Sequence, residues 1–352
     1  MAYTTINKST DYFNNNLHTG TGSTQQITTG LNMSANGGMV WNKLRSGSNN
    51  HIMWDTIRTA TKSIYPDLTA AEATEATSLT AFTSTGWTGG GGGNTNANGS
   101  TYVSWNWLAG SSHSGSTNYD GSITSTVSAN TTSGFSIVSY TGTGSNATVG
   151  HGLGSVPKMI IVKRRTTSGG SWVVYNANLS TGASSYMYLQ STNAEGNNYT
   201  PYWNATNPTS SVFSIGTNAE VNNSGDTFIA YCFAEKTGFS KFGSYVGNAS
   251  TDGSFLYTGF KPAFLIFKRA DASDGWQMMD NKRSTFNVVA SRFEADASSA
   301  EYTSIDWLDF VSNGIKIRNS SGGINASGGT YIYMAFAEAP LVGTNNVPCT
   351  AR

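Results

Sequence analysis

Basic side chains recur at the end of three apolar runs: Lys43 with Arg45, Lys163 with Arg164 and Arg165, and Lys268 with Arg269. Aligned along one surface, they would form a contact stripe for an anionic glycan or a neighbouring subunit. The competing reading is structural, with the charges ending buried strands and pairing with carboxylates such as Asp55 or Asp280. A second set is aromatic. Tyr202, Trp203 and Asn204 lie in the turn-rich segment NNYTPYWNATNP at residues 197–208, and Trp87 precedes the glycine run 89–93. A sugar ring stacks on a flat apolar face surrounded by polar groups, so these four are candidate receptor- or glycan-binding residues. The alternative is that the rings cover the protein's own edge.

Other chemistries find less support. His18, His51, His113 and His151 are scattered, and none stands three to five residues from another His or Cys as a zinc site requires. Glycan hydrolysis needs two carboxylates about 5 to 10 Å apart. Asp306 and Asp309 in IDWLD are the only acidic pair of interest, and on a strand they project to opposite faces. No Ser or Cys occupies a GxSxG elbow. The glycine run lacks a following Lys-Ser or Lys-Thr and reads as a flexible loop, not a phosphate cradle. The expectation is a non-enzymatic protein with no cofactor and no metal.

The elements that carry these residues are repeated. LHTGTGST at residues 17–24, GFSIVSYTGTGSNAT at 134–148 and GFSKFGSYVGNAST at 238–251 open three similar stretches. Each continues into an apolar strand (MVWNKLR, MIIVKRR, FLIFKRA), a segment with Trp, and a closing strand (TYVSWNWLA, TFIAYCFAE, TYIYMAFAE). The closing strands align without gaps. With side chains alternating along a strand, Val103, Trp105 and Trp107 share one face, as do Ile229, Tyr231 and Phe233, and Ile332, Met334 and Phe336. That face is core. Cys232 falls on the smaller face, matching Asn106 and Ala335, and reads as a buried filler.

Turn punctuation and weak helical periodicity give an all-β fold: three tandem β-sandwich modules of jelly-roll or lectin-like type. A short helical insertion is expected in the first, at residues 68–79, without counterpart in the others. The expected organisation is an N-terminal arm (1–16), module one (17–110), a linker (111–133), module two (134–237), module three (238–339) and a C-terminal tail (340–352). A flexible linker of that length spans about 26 Å, so module one is expected to swing while modules two and three form a stiff pair.

The chain has 352 residues, 11% of them charged, with 20 basic and 20 acidic side chains. A balanced charge provides no field to gather nucleic acid by counterion release. Neither a basic-then-apolar leader nor a stretch of about 20 apolar residues is present, so neither signal-led secretion nor membrane insertion is expected.

The opening MAYTTINKSTDYFNNNLHTGTGST, the segment DGSITSTVSANTTSGFSIVSYTGTGSNATVGHGLG and the ending YIYMAFAEAP with VPCTAR resemble virion proteins of marine tailed phages, especially those infecting cyanobacteria and other ocean bacteria. The resemblance covers nearly the whole chain. It implies a structural class, tail-fibre or other virion appendage proteins, with no catalytic residues to carry over. It also implies location in the virion after synthesis in the host cytoplasm and release by lysis. The first repeat departs from the pattern, with LNMSANGG at residues 31–38 in place of Gly-Phe-x-Pro.

The resulting expectation is a tail fibre or tail-associated appendage touching a host-surface glycan or protein receptor, and working as a homo-oligomer among other virion proteins. The alternative is a capsid decoration or cement protein that binds only virion chains. The third is a glycan depolymerase.

Overall fold

The computed structural model describes residues 3–110 and 112–343. It is all-β. Three large antiparallel sheets carry the fold, and in each the closing strand lies in the middle. In the first, Thr101–Leu108 runs between Phe13–Thr19 and Gly38–Leu44, with Ile52–Asp55 outside. In the second, Thr227–Phe233 runs between Phe135–Thr141 and Met159–Arg164, with Trp172–Asn176 outside. In the third, Thr330–Pro340 runs between Ser240–Val246 and Phe260–Arg269, with Gln277–Asp280 outside.

Register fixes the equivalence. Trp105 stands between Asn15 and Trp41, Tyr231 between Ile137 and Ile161, and Met334 between Phe242 and Ile266. A smaller sheet backs each large one. These are built from Gln25–Thr28, Leu79–Thr83 and Gly86–Gly89; from Ala147–Gly150 and Val212–Ile215; and from Phe255–Tyr257, Leu308–Val311 and Gly314–Ile317.

Strand alternation then gives each large sheet two apolar faces. One face packs on its small sheet, enclosing a local core such as Val138, Phe213 and Phe228 in the second pair. The other faces point at one another. Val103, Trp105, Trp107, Ile229, Tyr231, Phe233, Ile332, Met334 and Phe336 all belong to one buried cluster. Trp107 alone meets Phe13, Phe135, Phe233, Phe264 and Phe336, with ring centroids 4.9 to 6.5 Å apart. Burying one such side chain contributes about 3 kcal/mol, so the junction holds much of the cohesion of the molecule.

Several expectations are corrected by this arrangement. The first repeat is not a module tethered to the others by a linker, because the inward faces of all three repeats share a core. The segment expected to be a linker contributes strands Ser116–Asn118 and Ser125–Asn130, which extend the second large sheet beyond Phe135–Thr141. Its Ser128 hydroxyl donates to Ser112 O and accepts from Gly110 N, fixing the first pair against the second. The first repeat is therefore held as firmly as the others. The expected N-terminal arm places Ile6 and Phe13 in the shared core, and Tyr3 donates to Gly259 O at 2.8 Å.

No helix forms at residues 68–79. The two-residue strand Ala73–Thr74 pairs there with Lys62–Ser63, and Glu72 is drawn into an ion network. Short helices occur instead at Gly93–Asn96, Ala219–Asn222 and Gly322–Asn325. The glycine run is packed rather than free, since a Cβ on Gly90 or Gly92 would lie 2.5 or 2.7 Å from Thr77 O. Cys232 is buried, as expected, and forms no disulfide among the described residues. Cys349 and residues 344–352 of the expected tail lie outside the described residues.

Candidate functional site

The polar chemistry of the chain gathers where the three sheet pairs meet. After each outer strand the chain turns back to a short partner, so that Met53 meets Ile64, Val174 meets Met187 and Met278 meets Phe293. This superposes His51, Trp172 and Trp276 at the strand start, and Asp55, Asn176 and Asp280 at its end.

The ring nitrogen at each strand start reaches the backbone of a neighbouring pair. Trp172 Nε1 donates to Tyr65 O at 2.8 Å and Trp276 Nε1 to Tyr188 O at 2.9 Å, while His51 Nε2 lies 3.1 Å from Glu294 O. His51 also accepts from Trp41 Nε1 at 3.0 Å, which leaves its other nitrogen to carry the proton to Glu294 O. Burial holds this imidazole well below its usual range, so it is neutral.

The strand ends carry charge at two seams. Arg58 Nε and Arg283 Nε each lie 2.5 Å from their aspartates, Asp55 and Asp280, with all four side chains fully buried. The middle residue of a neighbouring closing strand completes each pair. Tyr231 OH donates to Asp55 Oδ2 at 2.7 Å, and Trp105 Nε1 donates to Asp280 Oδ2 at 3.1 Å. At the third seam the equivalent middle residue is Met334, a thioether that donates nothing, and the ion pair is replaced by Asn176 and Leu179. Donor and carboxylate thus come and go together, as the cost of an unpaired buried charge requires.

The basic residues of the expected stripe are used internally. Lys43, Lys163 and Lys268 are fully buried, and their ammonium groups donate to Ser298 O and Leu44 O, to Gly170 O, and to Arg269 O. Burial pushes each down to about 8. Arg45 binds Glu301 at 2.9 Å, Arg165 binds Glu72 at 2.9 Å, Arg164 lies 3.6 Å from Asp226, and Arg269 binds Asp271 at 2.9 Å. The arginines thus pair with carboxylates while the three lysines bind carbonyls, and the aspartates named for the strand-end pairing, Asp55 and Asp280, hold Arg58 and Arg283 instead.

The aromatic candidates do not form a platform either. Trp87 is buried against Trp54 and His18. Trp203 is buried edge-on to Tyr175, and Tyr202 is buried with its hydroxyl on Glu220 and Tyr188. Of the four only Asn204 is exposed. The reason is local: Asn198, Asn204 and Ala205 adopt positive φ, and the turns they make fold both rings inward. Of the hydrolase candidates, Asp309 is paired with Arg318 at 2.6 Å.

Sequence reasoning passed over Asp55, Arg58, Asp280 and Arg283 as partners of one another, and Glu72, Glu195 and Glu301 altogether. A signal was present. Each glutamate follows the short return strand at the same offset, 64 to 72, 187 to 195 and 293 to 301.

The family described as a domain of unknown function, DUF7483, matches residues 8–340. The chain belongs to that family. The match reaches across all three sheet pairs, and so covers every seam and all of the shared core but Ile6. No curated protein and no solved structure matches the chain. Among the described residues, no helix is long and apolar enough to cross a membrane.

Proposed function

We propose that this member of the DUF7483 family is a non-enzymatic structural protein of a phage virion, a tail fibre or tail-associated appendage that touches the host surface. One observation carries the contact surface. While the rings of Trp87, Tyr202 and Trp203 are buried, Phe255 and Tyr257 stand about half exposed on the same face of an outer-sheet strand, at 49% and 52%, and Ser254 ties that strand to exposed Val246. Two flat exposed rings suit the face of a sugar or an apolar patch of a receptor. Individual contacts of this kind are weak, and repetition in an oligomer raises their combined strength.

A second reading, a capsid decoration protein, draws support from the shared core. A string of separate modules would suit a fibre, whereas three sheet pairs fused at one junction suit a plate seated on a shell.

Binding of the labelled protein to host cells and to a glycan array separates the two. The appendage reading expects binding to cells that falls at least about tenfold in Phe255→Ala/Tyr257→Ala with the fold intact. Coating of purified capsids with no binding to cells would favour decoration, and release of reducing sugar would overturn the non-enzymatic reading.

A further inference from the structure

The three seams are built alike except for one missing group. At each, a glutamate N–H donates across the seam: Glu72 to Arg165 O at 2.9 Å, Glu301 to Arg45 O at 3.3 Å and Glu195 to Ala270 O at 2.8 Å. At the first two, the residue whose carbonyl is used also supplies a guanidinium to the same glutamate. Arg165 approaches Glu72 with two nitrogens, Nε at 2.9 Å and Nη2 at 3.1 Å, and Arg45 Nε approaches Glu301 at 2.9 Å. A second guanidinium closes each site, Arg58 on Glu72 at 3.2 Å and Arg283 on Glu301 at 3.4 Å.

At the third seam both arginines are absent, Ala270 replacing the first and Leu179 the second. Glu195 nevertheless keeps its place. One carboxylate oxygen accepts from Ser180 N at 2.8 Å, Ser180 Oγ at 2.6 Å and Ser185 Oγ at 2.5 Å, and no cation pairs with it among the described residues. Beside it opens a cavity of about 320 Å³ lined by Asn178, Ser180, Glu195, Ala270, Asp271 and Thr330. Asp271 is already committed to Arg269.

We propose that this cleft binds a guanidinium group, supplied by a small guanidinium compound or by an arginine side chain of a second copy of this chain, in the place that Arg45 and Arg165 fill at the sister seams. The inference is independent of where in a particle the protein works. The planar fork of a guanidinium suits the remaining oxygen of Glu195, as it suits Glu72 and Glu301, whereas an ammonium offers a point charge.

Agmatine is the probe, titrated calorimetrically into the full chain, with 1-aminobutane as the single-ammonium control. Saturable binding of agmatine is expected, weakened at least about tenfold in Glu195→Gln and in the comparison with aminobutane. Ala270→Arg supplies the group from within and should abolish binding. Should that variant not fold, Glu195→Gln, which keeps the side-chain shape, still decides the matter. Sedimentation separates the sources. Self-association lost in Ala270→Arg or on adding agmatine assigns the group to a second copy, and binding with an unchanged association state assigns it to a free compound. Agmatine binding that is absent, or equal in the wild type and both variants, overturns the proposal.

Discussion

Asp280 and Arg283 illustrate how tightly single residues are coupled at the seams. The ion pair is fully buried, the aspartate also accepts from Trp105 Nε1 and from the N–H groups of Lys282 and Arg283, and the guanidinium reaches Met278 O at 3.0 Å. Removing one partner strands the other. Arg283→Leu should cost about 3 to 5 kcal/mol in urea denaturation. The third seam shows which set of changes is tolerated: Asp55→Asn, Arg58→Leu and Tyr231→Met together should cost much less than Arg58→Leu alone, because no buried charge is left unpaired. The buried lysines give a pH signature. Their folded values lie near 8, below those of the free side chain, so between about pH 8 and 10.5 the unfolded chain holds more protons than the folded one. Stability therefore rises with pH through that window. Thermal midpoints should climb from pH 7.5 to 9.5, and Lys163→Met should lessen the slope. Asp67 acts with the opposite sign at lower pH. Burial raises its carboxyl to about 7, so the protonated acid is favoured in the fold and this contribution fades as pH rises from about 4 through 7. Asp67→Asn should accordingly stabilise at pH 8 by about 1 kcal/mol and change little at pH 4.

At the scale of elements, one turn device appears three times. Each short helix ends in a buried asparagine, Asn96, Asn222 or Asn325, whose carboxamide holds the opening loop of its repeat. The side-chain oxygen accepts from Thr21 N, Thr143 N or Asn248 N at 2.8 Å in every case, and the amide donates to Ser23 O, Ser145 O or Ser250 O. The opening loop in turn needs glycine where it passes the helix end. A Cβ on Gly142 or Gly247 would lie 2.3 or 2.2 Å from backbone oxygens of Asn223 or Ala326. Asn222→Ala should cost about 2 to 3 kcal/mol through three lost backbone partners, Thr143 N, Ser145 O and Gly216 O. Gly142→Ala should cost at least about 2 kcal/mol by forced displacement. A Cβ on Gly93 would meet open space, so Gly93→Ala should have almost no effect. The thermal midpoints of these three variants check the assignment.

For the whole molecule, the shared core predicts cooperative unfolding. Calorimetry of the full chain should give one transition, with equal calorimetric and van't Hoff enthalpies, and not three independent ones. A fragment of residues 238–340 would expose Phe242, Ile266, Met334 and Phe336, which face the other sheet pairs. Such a fragment should bind a hydrophobic dye and lack sharp near-ultraviolet dichroism. A stable, dye-silent fragment would show that the local core of Leu256, Phe260 and Phe310 suffices on its own.

Much of this was legible in the chain. The closing strands declared themselves by alternation, and their alignment placed Trp105, Tyr231 and Met334 in equivalent seats, because a period of two fixes which side chains share a face. Strand character at residues 125–130 was hidden, since Ser, Thr and Ala there cover an edge where little apolar surface is buried. Burial of Trp203 was equally hidden, because composition marks a loop as polar without saying which side chains its turns direct inward. The sequence alone determined the all-β class, the threefold repetition and the inward faces. Only the tertiary structure decided that those faces meet one another, that the lysines and arginines close the seams, and that one seam is left with an unmatched glutamate. An apolar face specifies burial but not its partner, and a charge specifies a need for compensation but not its source; both are settled only when distant segments are brought together.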